Sequence, residues 1–236
     1  MEKLRIAPST IPTYTMTLPL TGMTVKYRPF LVKEEKILLI ALQSTDPEQI
    51  ITAIRNLVLG CTNNQLDTKK IPAADASYAM LQIRARSLGE EIKPYIQCGH
   101  CDTKTPIKIN IQNIGIRKKV EEEKSPLIKI NDDISLVMRF PTIHDLDIKQ
   151  DETQMIFKMV YSCIDKVHYK EKVYDRGEVK EEDIQLFVDS LLPDQFKEMV
   201  AFIQSAPTVL YEFTYSCPHC KQKVMVSMEN IGDFFL

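Results

Sequence analysis

The stretch Y-I-Q-C-G-H-C-D-T-K-T-P-I-K-I-N-I-Q-N-I-G, Tyr95 to Gly115, decides how this chain is read, because a near-copy of it returns close to the other end. The copy is F-T-Y-S-C-P-H-C-K-Q-K-V-M-V-S-M-E-N-I-G, Phe213 to Gly232. Each holds a Cys-x-His-Cys tetrad, Cys98 to Cys101 and Cys217 to Cys220, that strand-like residues enter and leave. Each closes in Asn-Ile-Gly. The arms that leave differ in length, with 12 positions from Cys101 to Asn113 and 10 from Cys220 to Asn230. Four of the six cysteines lie in the two tetrads, so the pair reads as two knuckles meeting at one metal.

A tight Cys-x-x-Cys turn aims two thiolates at one tetrahedral ion, and two such turns complete a closed four-thiolate site. A single tetrad would also fit a redox motif, but a thioredoxin-like motif opens a helix inside a βαβ unit. Both tetrads here run instead into strand-like residues, Ile107 to Ile111 and Val224 to Met228. Two disulfides are the remaining alternative, and a reducing compartment argues against them. His100 and His219 sit inside the turns and read as exposed or supporting groups rather than ligands. A closed site keeps no open coordination position, so Cys98, Cys101, Cys217 and Cys220 are expected to hold a structural zinc that stabilises rather than catalyses.

Composition narrows the classes further. The chain has 236 residues, 44% hydrophobic and 26% charged, enough for one or two domains with a real core. A net charge of −2 gives no electrostatic footprint for nucleic acid. The longest strictly apolar run, Ile37 to Leu42, is too short to span a bilayer, and the first residues lack a signal-peptide core. Seven glycines, with neither GxGxxG nor GxxxxGK[ST], argue against a nucleotide loop. Cys61 and Cys163 fall in helical patterns and read as buried small apolar residues.

Residues 1–13 read as a loose, proline-punctuated arm. Tyr14 to Leu20 and Thr24 to Arg28 form a hairpin turning at Thr21-Gly22. A helix follows from Lys33 to about Gln43. The next opens at Asp46-Pro47-Glu48-Gln49, with Asp46 as cap, Gln49 as reciprocal partner and Gly60 as the stop. Asp75 is expected to cap a third helix, carrying Tyr78, Leu81, Ala85 and Leu88, with Arg84 and Arg86 on its other faces. Arg117 to Lys124 is a charge run of mixed sign, read as a solvated linker. Leu127 to Ile130 and Ile134 to Phe140 make a second hairpin, and helices are expected at 151–164, 181–191 and 193–206. His144, Asp145 and Asp147 invite a catalytic reading, but no nucleophile accompanies them. The closing Asp-Phe-Phe-Leu is either tucked against the ribbon or exposed as a docking patch.

L-P-L-T-G-M-T-V-K-Y-R-P-F-L-V-K-E-E-K-I-L-L-I-A-L (residues 18–42), L-Q-I-R-A-R-S-L-G-E-E-I (residues 81–92) and the Tyr-x-x-Cys-x-x-Cys after them carry a resemblance. The chain resembles the baseplate hub assembly proteins of T-even-like contractile-tailed bacteriophages, best over about residues 16–110. Arg28, Pro29, Phe30, Arg84, Arg86 and Glu90 match that pattern. The resemblance implies a viral, non-enzymatic protein that builds the central hub of a tail baseplate through contacts with other hub or tail proteins. The resemblance further implies action in the host cytoplasm during assembly, after which the protein either remains in the virion or leaves as a chaperone. Arg84, Arg86, Phe234 and Phe235 are the expected partner contacts.

The fold class expected is α+β: an N-terminal β-hairpin with helices (1–92), a split four-cysteine zinc ribbon (93–115 and 208–236), and an inserted α+β segment between the knuckles (116–207). Two other classes remain. A nucleic-acid-binding zinc ribbon has Lys104, Lys108, Lys221 and Lys223 in its favour and the acidic balance against it. A metal-dependent hydrolase would need an open coordination site or a carboxylate cluster, and neither is visible.

Overall fold

A computed structural model describes residues 11–44, 46–117, 125–145, 152–229 and 234. Most of the expected N-terminal arm, nearly all of the charge run, Asp147 and Phe235 lie outside the described residues.

The described residues begin with the hairpin of β1 (Tyr14–Thr17) and β2 (Thr24–Tyr27), in which Met16 faces Val25 across the antiparallel register. Alternation puts Met16, Val25 and Tyr27 inward and leaves threonines outward. The turn uses Gly22 at a φ of 68°, where its N–H donates to the Leu18 carbonyl; a side chain there would strain the backbone.

Three helices follow, α1 (Val32–Gln43), α2 (Pro47–Cys61) and α3 (Ala73–Leu88). Asp46 caps α2 by accepting from the Glu48 N–H at 3.1 Å. Gln49 does not return to the cap's backbone as expected; its Nε2 donates to the Asp46 carboxylate. Nor does Gly60 end the helix. α2 runs through it to Cys61, and the left-handed residues are Asn63 and Asn64. A Cβ at Gly60 would stand 3.4 Å from the Glu34 carboxylate, an ordinary contact. Asp75 does not cap α3 either, since the helix begins after Pro72. Its buried carboxylate reaches the hairpin turn, accepting from the Leu20 and Thr21 N–H groups and the Thr21 hydroxyl at 2.9–3.0 Å. Leu18, Val58, Leu66, Met80 and Ile83 are at the heart of the core formed by the hairpin and these helices.

The middle of the chain is a set of very short strands: β3 (Glu91–Ile92), β4 (Tyr95–Gln97), β5 (Lys104–Pro106), β6 (Ile109–Asn110) and β7 (Gly115–Arg117). The expected strand-like run at Ile107 to Ile111 is broken, because Ile111–Asn113 turns as a 3-10 helix behind an Asn110 cap. Next come β8 (Leu127–Lys129), β9 (Ile134–Met138), α4 (Glu152–Cys163), β10 (Ile164–Tyr169) and β11 (Lys172–Asp175), whose strands form one sheet in the order β11-β10-β9-β8. α5 (Glu181–Asp189) and α6 (Pro193–Gln204) pack with α4, and the three helices and the sheet bury Leu136, Val160, Ile164, Ile184, Met199 and Phe202 in a second core.

β12 (Thr208–Ser216) and β13 (Lys223–Met228) follow, in the sheet β13-β12-β7. A third apolar cluster joins the two ends of the sequence: Leu81, Ile92, Ile109, Ile111 and Ile114 meet Val209, Met228 and Phe234. The described residues thus form a mixed α+β protein with six α-helices and several small sheets.

Candidate metal centre

Each tetrad is a turn between two paired strands. In the first, Cys98 N–H donates to the Thr103 carbonyl at 3.0 Å and Asp102 N–H to the Cys98 carbonyl at 2.9 Å. In the second, Cys217 N–H donates to the Gln222 carbonyl and Lys221 N–H to the Cys217 carbonyl, both at 2.9 Å. Both turns need a left-handed residue just after the second cysteine, and Asp102 (φ 57°) and Lys221 (φ 63°) supply it. Neither residue type signals that conformation strongly, and sequence reasoning passed over both.

The two turns face each other. Cys98 Sγ lies 3.7 Å from Cys220 Sγ, and Cys101 Sγ lies 3.7 Å from Cys217 Sγ. All four sulfurs are within 4.8 Å of one another, and none is in a disulfide. A tetrahedral ion with metal–sulfur bonds of about 2.3 Å has sulfur–sulfur edges of about 3.8 Å, so the spacing fits a four-thiolate ion. The donor chemistry fits too, since four soft sulfurs in tetrahedral array suit zinc or iron. Cys98 and Cys217 are fully buried, while Cys101 and Cys220 reach the surface. His100 and His219 are exposed and stand outside the cluster.

Without an ion the sulfurs differ in acidity. Hydrogen bonds from the Thr103 side chain and backbone hold Cys101 down to about 5. The backbone N–H of Cys220 and, against burial, that of His219 hold Cys217 below the ordinary thiol range. Cys220 takes a backbone hydrogen bond from Gln222, but burial and the neighbouring sulfurs outweigh it and push this thiol up to about 12. A cation at the centre would be the natural partner for the excess negative charge. Cys61 and Cys163 are buried in the first and second cores, outside the cluster, and burial pushes each thiol up to about 12.

The residues expected to touch partners are placed differently from one another. Arg84 is buried; its Nε donates to the Phe234 carbonyl at 3.1 Å and its Nη1 to the Gly89 carbonyl at 2.5 Å. Phe234 is fully buried in the third cluster, so these two are internal partners and neither lies on a surface. Arg86 remains exposed, over the Tyr14 ring at 5.0 Å and 3.6 Å from Glu90.

The His144 region is a structural joint. Arg55 donates to His144 Nδ1 at 2.9 Å, which leaves Nε2–H to donate to the Thr68 hydroxyl at 3.2 Å. Asp145 is occupied by Arg139 and by the Thr142 N–H and hydroxyl. Among the described residues, no helix is long and apolar enough to cross a membrane.

No curated protein and no solved structure matches the chain. A family model described as T4 bacteriophage base plate protein matches residues 11–236, which takes in the hairpin, the helices and both knuckles. The chain belongs to the T4 bacteriophage base plate protein family.

Proposed function

We propose that this protein is a non-enzymatic component or assembly factor of the central hub of a phage tail baseplate, working through contacts with other hub or tail proteins. The family match over nearly the whole chain carries this reading. In it, the halves 93–115 and 208–236 are one split zinc ribbon, residues 1–92 form the N-terminal unit, and 116–207 are the insertion between the knuckles. Cys98, Cys101, Cys217 and Cys220 would hold one zinc, or iron, that supplies no chemistry beyond cross-linking. Such a staple suits a rigid adaptor, because it ties sequence-distant segments that a small third core holds only in part. Arg86 has the side chain exposed for partner contact, and Phe235 is proposed as a second contact from the sequence alone.

The test is a phage lacking the gene for this protein, grown in a host that supplies it or withholds it. Without the protein, electron microscopy of lysates should show heads and no assembled baseplates. Normal contractile tails would overturn the proposal. Labelling of purified virions with a specific antibody then separates a resident component from a factor that leaves.

A further inference from the structure

Two arginines far apart in the chain have the same neighbours. Arg28 follows β2 of the first hairpin, and Arg139 follows β9 of the second. The N–H of Arg28 donates to the Cys61 carbonyl at 2.9 Å, and that of Arg139 to the Cys163 carbonyl at 2.8 Å. Each guanidinium donates to the carbonyl of the next residue, Pro29 at 3.0 Å and Phe140 at 3.1 Å. Each pairs at 2.7 Å with a carboxylate six positions on, Glu34 or Asp145. Each also donates to the carbonyl just before the cysteine, Gly60 at 3.2 Å and Ser162 at 2.7 Å. The carboxylates then accept, again at 2.7 Å, from the N–H three residues back, on Leu31 and Thr142. Each cysteine is the last residue of a helix and is fully buried.

The correspondence runs on into the knuckles. Tyr95↔Pro106, Ile96↔Thr105 and Gln97↔Lys104 flank the first, and Thr214↔Met225, Tyr215↔Val224 and Ser216↔Lys223 stand at the same distances from the cysteines of the second. Contacts between the two halves survive exchange as well. Exchanging them turns the Cys98–Cys220 pair into Cys217–Cys101, and both are 3.7 Å. β7, which begins at the first Asn-Ile-Gly, pairs with the start of β12, placing Arg117 opposite Thr208. The residues that correspond to these two are Phe234 and Gly89, and Arg84 bonds the carbonyls of both. A Cys-x-x-Cys recurs easily by chance; a whole bonding pattern with its reciprocal contacts does not.

We infer that the chain is two fused copies of one module, residues 14–117 and 127–234, related by an approximate two-fold axis through the four-sulfur cluster, and that a single metal on this axis clasps them as it would a homodimer. Each copy has its own core, the first also taking in Ile143 of the second, and gives two of the four sulfurs. Among the described residues, α1 is found in the first copy alone, and β10, β11 and α5 in the second alone. The duplication stands on the bonding pattern alone, while the clasp rests on the metal reading proposed above.

The tests separate the two. For the duplication, full-length chains carry Arg139–Asp145 (RFPTIHD) in place of Arg28–Glu34 (RPFLVKE), or the reverse exchange, against the same seven residues shuffled. Equivalent copies predict that both exchanges keep one cooperative unfolding transition while the shuffled chains lose it. Exchanged chains no better than the shuffled ones overturn the duplication. For the clasp, a specific protease site is placed within residues 118–124 of the full chain and cut. Removing the metal should weaken association of the two pieces about a hundredfold or more, read by light scattering across a dilution series. Equal association with and without metal overturns the clasp. An intact chain with no bound metal overturns the clasp and the metal reading together, and leaves the duplication to the exchange experiment.

Discussion

Arg84 Nε donates to the carbonyl of Phe234, 150 positions away, and its Nη1 to that of Gly89. One guanidinium thereby holds the C-terminal end of α3 and the end of the chain together from a buried site whose burial lowers its pKa. Lysine keeps the charge but not the fork that reaches two carbonyls at once. Arg84→Lys should therefore destabilise by about 1–3 kcal/mol, since one buried carbonyl loses its donor. Urea unfolding checks it; a wild-type midpoint would refute the pairing.

Asp75 serves the hairpin turn rather than its own helix. Asp75→Ala should cost about 2–3 kcal/mol, because the turn's N–H groups lose a charged acceptor. Asp75→Asn keeps one acceptor oxygen and should lose less. Thermal unfolding of the two variants beside the wild type gives the ranking, and equal losses would count against the geometry.

His144 gives the folded state a pH dependence. Burial first, and then the positive charge of Arg55, lower its pKa, so the folded state holds the ring neutral. The unfolded chain takes a proton at about 6.5. The stabilisation is present above that value and is lost as pH falls towards the depressed folded value. Unfolding between pH 7.5 and 5.5 should show stability falling with acid, with a smaller slope in His144→Gln. An unchanged slope in that variant would assign the effect to other groups.

Metal content is the direct check on the cluster. Elemental analysis of purified protein should find about one zinc or iron per chain, lost in Cys217→Ser. Chelation should lower thermal stability and release four reactive thiols, while Cys61 and Cys163 stay protected by burial. Equal melting with and without chelator would refute the site.

The cluster was legible in the sequence because cysteine spacing is a sparse signal that chance seldom repeats with matching flanks. The hairpins and most helices were legible from alternation and helical spacing. Other features were not. Arg84 was expected among the partner contacts because arginine is seldom buried, and only tertiary structure shows the two carbonyls that hold it. The shared bonding of Arg28 and Arg139 was hidden by R-P-F against R-F-P and by Glu against Asp. Gly60 looked like a helix stop, yet α2 runs through it and the left-handed residues are the asparagines that follow. Asp75 stood where a cap belongs, but a turn distant in sequence competed for its oxygens and won.

The two knuckles are also separated in time. Cys101 meets a sulfur 116 residues further along, so at ribosomal speed its partner emerges on the order of ten seconds later. Through that interval the first pair of thiols is exposed with half a coordination shell, while the hairpin and helices before it can already fold. Closure of the site must come last in synthesis, after the second core has been made. A nascent chain is therefore most open to pairing with the wrong neighbour during this wait, and crowded translation of one message would favour the error.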